Sequence, residues 1–187
     1  MTDAAMEVSS KKTPDFKTLW ATCKIDPNRI PEVKRICEKI RSIKEKHYEP
    51  ITEATGVPWK MIGILHYREA SLRLEACLHN GQPWNKVTTW VPKGRGPWKS
   101  FAEAGIDAMI YDGLHKVRFD DEVTMLIFAE KYNGLGYRKS GELSPYVWAG
   151  TNHHDETGKY VADGKFDPAA PERQLGVAAI LKGLEVL

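Results

Sequence analysis

Glu69, in the run His66-Tyr67-Arg68-Glu69-Ala70-Ser71, is the residue whose type and position best fit chemistry. Leu65 and Ile62 stand four and seven residues before it, so in a helix all three share one face. A carboxyl group held against apolar neighbours resists ionisation and keeps its proton toward neutral pH. Such a proton-bearing acid is what cleavage of a glycosidic bond requires. A plainer role competes: Arg73 lies four residues on, the favourable order for a helix-surface ion pair if the helix extends so far.

Three further groups have suitable chemistry. Thr88 and Thr89 lie in KVTTWV (Lys86 to Val91), whose β-branched and aromatic residues predict a strand. Hydroxyls there could position water or bind sugar oxygens, although threonine is also an ordinary strand former. Tyr132-Asn133-Gly134 ends a helix. The Asn133 amide both donates and accepts, which suits an N-acetyl group, and Tyr132 offers a ring face and a hydroxyl. Asn and Gly are equally the usual helix-terminating residues. Tyr137, Tyr146, Trp148 and Tyr160, with Trp84, Trp90 and Trp98, supply ring faces that either stack on sugars or pack loops onto a core. The expectation is both, with a minority lining a groove.

Histidines give a metal reading little support. His66 and Glu69 are three apart on one helix face, and His79, His153, His154 and Asp155 follow, but no HExxH or CxxC accompanies them. Adjacent His153 and His154 point opposite ways in an extended segment. We expect no metal and no cofactor, with a zinc site on His66 and the His153/His154 pair as the rival.

The positioning elements are mostly helices. Thr13-Pro14-Asp15 starts a short helix through Trp20. Pro31 opens a longer one to about His47, with Val33, Ile36, Ile40 and Ile43 as its apolar stripe, and Pro50 breaks it before another short helix to Gly56. Pro58 begins the Glu69 helix. Ser100-Phe101-Ala102-Glu103 is a capping box leading through Ile106, Met109 and Ile110. Asp121 to Tyr132 and Leu175 to Leu184 complete the helices, separated by a long Gly-rich and aromatic loop, Asn133 to Asp167. The prediction is a mainly α domain over 14–187 with one small β element between helices, preceded by a disordered lead-in, Met1 to Thr13.

At 187 residues and 42% hydrophobic, the chain suits one core. A net charge of +2 does not announce a nucleic-acid binder. The basic helix in the N-terminal half is either a solvated face or an attraction to an anionic polymer. Cys23, Cys37 and Cys77 are an odd, sparse set, and Cys37 falls on the apolar stripe, so buried free thiols are expected. Neither a hydrophobic signal core near Met1 nor a membrane-length apolar run is present. Synthesis without a signal peptide and no membrane insertion follow as expectations.

Taken in order, HYREAS with Glu69, LHNG (Leu78 to Gly81), TTWVPKGRGP, YNGLGY (Tyr132 to Tyr137), SPYVWAGTN (Ser144 to Asn152) and YVADGKFD (Tyr160 to Asp167) resemble the lysozyme-like peptidoglycan hydrolases. That group includes phage endolysins and bacterial muramidases akin to goose-type lysozymes and lytic transglycosylases. The resemblance runs from Pro58 to the C-terminus. It implies a lysozyme-like α+β fold, Glu69 as acid/base, and Tyr132-Asn133 lining the cleft opposite it. Thr88 and Thr89 would lie where related enzymes present a small sheet to substrate; separately, the aromatic density makes Tyr137, Tyr146 and Trp148 candidate sugar contacts. The implied partner is the peptidoglycan glycan strand, attacked by a monomer that reaches the wall through a holin or a dedicated export machine. The chain departs from common phage lysozymes in having no Asp between Glu69 and Asp107. A retaining mechanism needs a second carboxylate about 5 Å from the first. Without one, attack comes from water, or from the muramoyl 6-hydroxyl to give an anhydro product. The other classes left open are a zinc peptidase and a wall-binding module without catalysis.

Overall fold

The computed structural model describes residues 14–162 and 164–187; the lead-in expected for Met1 to Thr13 lies outside them. Helix α1 (Phe16–Thr22) is capped by Asp15, whose carboxylate accepts the amides of Lys17 and Thr18. Helix α2 (Ile30–Ile43) buries the anticipated stripe of Val33, Ile36, Ile40 and Ile43, with Cys37. The break expected at Pro50 is absent. A π-helical turn, Lys44–Tyr48, carries the chain directly into α3 (Glu49–Thr55). Pro50 occupies the first turn of α3, where its missing amide has no helical partner to lose.

Helix α4 (Trp59–Ala70) is the centre of the molecule, buried continuously from Met61 to Tyr67 and packed against α2, α3 and α9 (Val177–Val186). A helix enclosed on all sides reads as apolar all round, so the face shared by Ile62, Leu65 and Glu69 is one of several buried ones. Glu69 is set apart by its place at the end of a core helix. Helix α9 lies hard against α2 at Gly183, where a Cβ would come within 2.3 Å of Val33 Cγ1.

Helix α5 (Phe101–Tyr111) begins at the Ser100 cap, whose hydroxyl accepts the Glu103 amide. The return bond of the capping box goes from the Lys99 amide to the Glu103 carboxylate, one residue earlier than the motif implies. Helix α6 (Glu122–Asn133) is capped by Asp121.

The strand predicted for Lys86 to Val91 is not formed; that segment is loop. Strand propensity needs a partner to become a strand. Here the Thr88 amide donates to Arg95 O and the Gly94 amide to Thr88 O, closing a tight loop. The Thr89 and Trp90 amides are satisfied instead by the side-chain carbonyl of Gln82. The small sheet lies further on, between the short helices α7 (Gly136–Ser140) and α8 (Pro145–Trp148) and the closing α9. Strands β1 (Thr157–Ala162) and β2 (Lys165–Pro171) form an antiparallel hairpin pairing Lys159 with Asp167 and Tyr160 with Phe166. The fold is thus mainly α with one small hairpin between helices.

One cluster of buried side chains runs from Phe16 to Leu184. Cys23, Cys37 and Cys77 are buried free thiols. Among the described residues no helix is long and apolar enough to cross a membrane.

Candidate active site

The chain turns sharply at Glu69. Helix α4 stops at Ala70, and Ser71 and Leu72 both adopt left-handed backbone, with φ of 52° and 59°. Neither is glycine, so each conformation costs about 1–2 kcal/mol. The Ser71 amide donates to Tyr67 O and the Leu72 amide to His66 O, which closes the helix end. Arg73 therefore never reaches an i+4 position beside Glu69. Its guanidinium donates to Ala70 O and Gly81 O instead. The ion pair that rivalled the chemical reading of Glu69 does not form.

Gly81, in the turn after Leu78, holds this helix end from the other side. At its φ of +73°, a Cβ would lie 2.8 Å from the backbone oxygen of Glu69. Gly81→Ala is expected to destabilise the protein by at least about 1 kcal/mol in denaturant melts, through strain and displacement of the Glu69 backbone. Unchanged stability would mean that the turn yields freely.

Glu69 accepts one side-chain hydrogen bond and lies within electrostatic reach of Tyr132 and Asp112. Its Oε1 accepts the Tyr146 hydroxyl at 3.1 Å. Tyr146 comes from α8 and is nearly buried, its ring lying 4.2 Å under the Arg68 guanidinium. Tyr132, in the last turn of α6, donates its hydroxyl to Asp112 Oδ2 at a long 3.5 Å. Asp112 follows α5 directly and is near enough to Glu69 for the two charges to repel.

Burial is the first cause of a raised Glu69 pKa; the Tyr146 hydrogen bond and the Arg68 charge oppose it, and Asp112 adds to it. Asp112 is also raised, first by the protein mass around its carboxyl, against the pull of His79 and the Tyr132 hydroxyl. Asp112 is nonetheless exposed to water, which limits that effect, whereas Glu69 is half-buried, so the two carboxyls stand in different environments. Burial drives both tyrosines upward and keeps them as donors. Because the Tyr146 bond favours ionised Glu69, Tyr146→Phe is expected to raise the Glu69 pKa further, as followed by carboxyl NMR titration. A lower midpoint would contradict the hydrogen-bond geometry.

A cavity of about 740 Å³ adjoins this cluster, lined by Arg68, Asn133, Tyr137, Tyr146, Lys159 and Tyr160 among others. Glu69 does not line it. Tyr146 forms the boundary, with its ring in the cavity wall and its hydroxyl on Glu69. The hairpin makes the opposite wall, fixed by Tyr160 OH to Gly136 O and by the Tyr160 amide to Tyr137 OH.

Of the residues singled out in the sequence, Glu69, Tyr132 and Tyr146 come together, and Asn133 lies on the adjoining cavity. Tyr137 is buried, and its hydroxyl accepts from the hairpin, so it supports the wall more than it faces outward. Trp148 is fully buried between Phe16 and His153, so its expected sugar contact is corrected to a core role. Thr88 is likewise corrected. It is buried, its hydroxyl donating to Pro92 O and accepting the Arg95 amide. Thr89 is exposed and receives the Gln82 amide on its hydroxyl. No bond from either threonine to Glu69 is present.

The rival zinc set is dispersed. His66 is sealed between the Tyr48 hydroxyl and Arg73 O, both at 2.9 Å, and burial lowers its pKa to about 4. His153 contacts Leu19 O, and His154 accepts the Glu156 amide. Among the described residues no group of three or more His, Cys, Asp or Glu side chains could hold a metal ion.

Two features escaped the sequence reading. His79 Nε2 meets Asp107 at 2.9 Å while Arg95 forks onto the same carboxylate, tying the loop between α4 and α5 to α5, five residues before Asp112. Asp112 itself was missed because it is far from Glu69 in sequence. A signal existed: Asp112 and Glu69 both sit at helix C-terminal ends, where the helix dipole disfavours negative charge. The chain matches no protein-family model, and comparison with curated proteins and with solved structures gives no match.

Proposed function

We propose that this chain is a lysozyme-like peptidoglycan glycosidase, a muramidase cleaving the β-1,4 bond between N-acetylmuramic acid and N-acetylglucosamine. The observation that carries the reading is the Glu69 carboxyl, half-buried at the end of the core helix, raised in pKa by desolvation, and hydrogen-bonded by Tyr146. A carboxyl so placed can give its proton to a glycosidic oxygen, and the tyrosine hydroxyl keeps it aimed. The order of motifs from HYREAS to YVADGKFD supports the same substrate. In this reading the protein lyses bacteria by acting on the wall after release from the cytoplasm.

Asp112 bears on the route. Two carboxyls held in different environments suit an acid and a partner that holds water or steadies positive charge on the sugar. This favours hydrolysis over internal attack by the muramoyl 6-hydroxyl, for which Glu69 alone suffices. Digested peptidoglycan analysed by mass spectrometry should show new reducing ends at muramic acid. Anhydro ends would make the protein a lytic transglycosylase, and an absence of cleavage beside retained sacculus binding would make it a binding module. Stem-peptide cleavage abolished by a chelator would support the zinc peptidase. Asp112→Asn is expected to slow release of reducing ends by roughly a hundredfold. An unaffected rate would remove Asp112 from the mechanism.

A further inference from the structure

Resting on that glycosidase reading, we infer that the cavity beyond Tyr146 is an anion subsite that takes a carboxylate carried by the glycan strand. Arg68 lines it. This side chain is only 8% exposed, yet its Nε has no hydrogen-bond partner among the described residues. Its Nη1 donates to Leu175 O and stands a long 3.9 Å from Glu172. A buried guanidinium nitrogen without an acceptor is costly and invites one. Lys159 and Arg173 line the same cavity, so three cations face the single carboxylate of Glu172 among the described lining residues. Glu172 is already engaged, accepting the Gln174 amide and standing 3.9 Å from Lys159. The surplus is positive, in a space large enough for a substituent as well as a sugar.

Position supplies the connection to chemistry. Tyr146 lies under the Arg68 guanidinium and donates to Glu69, so an anion held there sits one tyrosine ring from the acid. Asn133 on the rim can accept from or donate to an amide of the same substituent. Muramoyl residues carry such a group in two forms: the lactyl carboxylate when the stem is absent, and the free carboxylates of the stem peptide when it is present.

The test compares binding, in a Glu69→Gln background that prevents turnover, of three probes: chitin oligosaccharide without carboxylates, glycan stripped of stems, and stem-bearing glycan. The parent should prefer carboxylate-bearing glycan, and Lys159→Gln with Arg173→Gln should reduce that preference relative to chitin by roughly tenfold. Loss of preference for the stripped glycan alone assigns the lactyl carboxylate, loss for stem-bearing glycan alone assigns the peptide, and loss for both means that the subsite takes either carboxylate. A preference unchanged by the double substitution overturns the subsite while leaving the glycosidase reading intact. Failure of the parent to bind any probe overturns both. Because both substituted residues lie at the cavity edge, folding is checked by an unchanged melting temperature. If the double variant does not fold, each single substitution is measured separately.

Discussion

Glu69→Gln should lower the rate of glycan cleavage by at least about a hundredfold while leaving the protein folded, because glutamine keeps the shape and has no proton to give. Stability provides an internal control. A carboxyl whose pKa is raised on folding contributes stability below its unfolded pKa, and loses that contribution as pH rises through the folded value. Above that value the native protein bears the penalty of ionising a half-buried carboxyl. Removing the charge should therefore leave the melting temperature equal or higher at pH 7, and the pH dependence of stability around the carboxylate range should flatten. Cleavage retained at the parent rate would end the assignment of Glu69. Lost cleavage together with a lost fold would be answered by Glu69→Ala and by the structure of each variant. The sign of the pH effect on activity follows as well: the acid works while protonated, so the rate falls as pH rises through the Glu69 pKa.

Arg138→Leu is the largest expected effect on stability. Glu130 is 1% exposed, and Arg138, which starts on α7, binds its Oε2 through Nε at 2.7 Å and through Nη2. Glu130 Oε1 has no hydrogen-bond partner among the described residues, so Arg138 supplies the charge compensation there. Stranding such a carboxylate costs about 3–5 kcal/mol, measurable by chemical denaturation. Pairing the substitution with Glu130→Leu should recover most of the loss, since the penalty lies in the unpaired charge. If the double variant is as unstable as the single one, the penalty lies elsewhere. The pair also fixes the corner between α6 and α7, which carries Tyr132 and Asn133 on one side and Tyr137 on the other. Its loss should weaken the site as well as the fold.

Much of the helical framework was readable. The stripe Val33, Ile36, Ile40, Ile43, the Ser100 cap, the Asp121 start and the Gly56 stop are local signals, and local backbone chemistry decides them. The hairpin was not placed. KVTTWV has the better strand composition, but Gln82 and Arg95 take its backbone groups, whereas β1 and β2 contain Gly158, Pro168 and Pro171. Within the described residues the left-handed Gly164, just before Lys165, is the local signal of the true hairpin.

For the candidate site, position and periodicity offered Glu69 as one carboxylate on an apolar helix face, with a structural role as the stronger reading, and the ordered motifs shifted the balance toward chemistry. The sequence also singled out Tyr132, Asn133 and Tyr146 as polar aromatic or amide groups near segment ends. Tertiary structure alone decided which of them meet. Tyr146 lies 77 residues from Glu69, and Asp112 lies 43 residues away, just past the end of α5. Such contacts follow from how α4, α5, α6 and α8 pack, which no single stretch encodes. The same packing buries Trp148 and Thr88. Residue type cannot distinguish an aromatic ring in the core from one in a cleft, because both environments favour the same apolar surface.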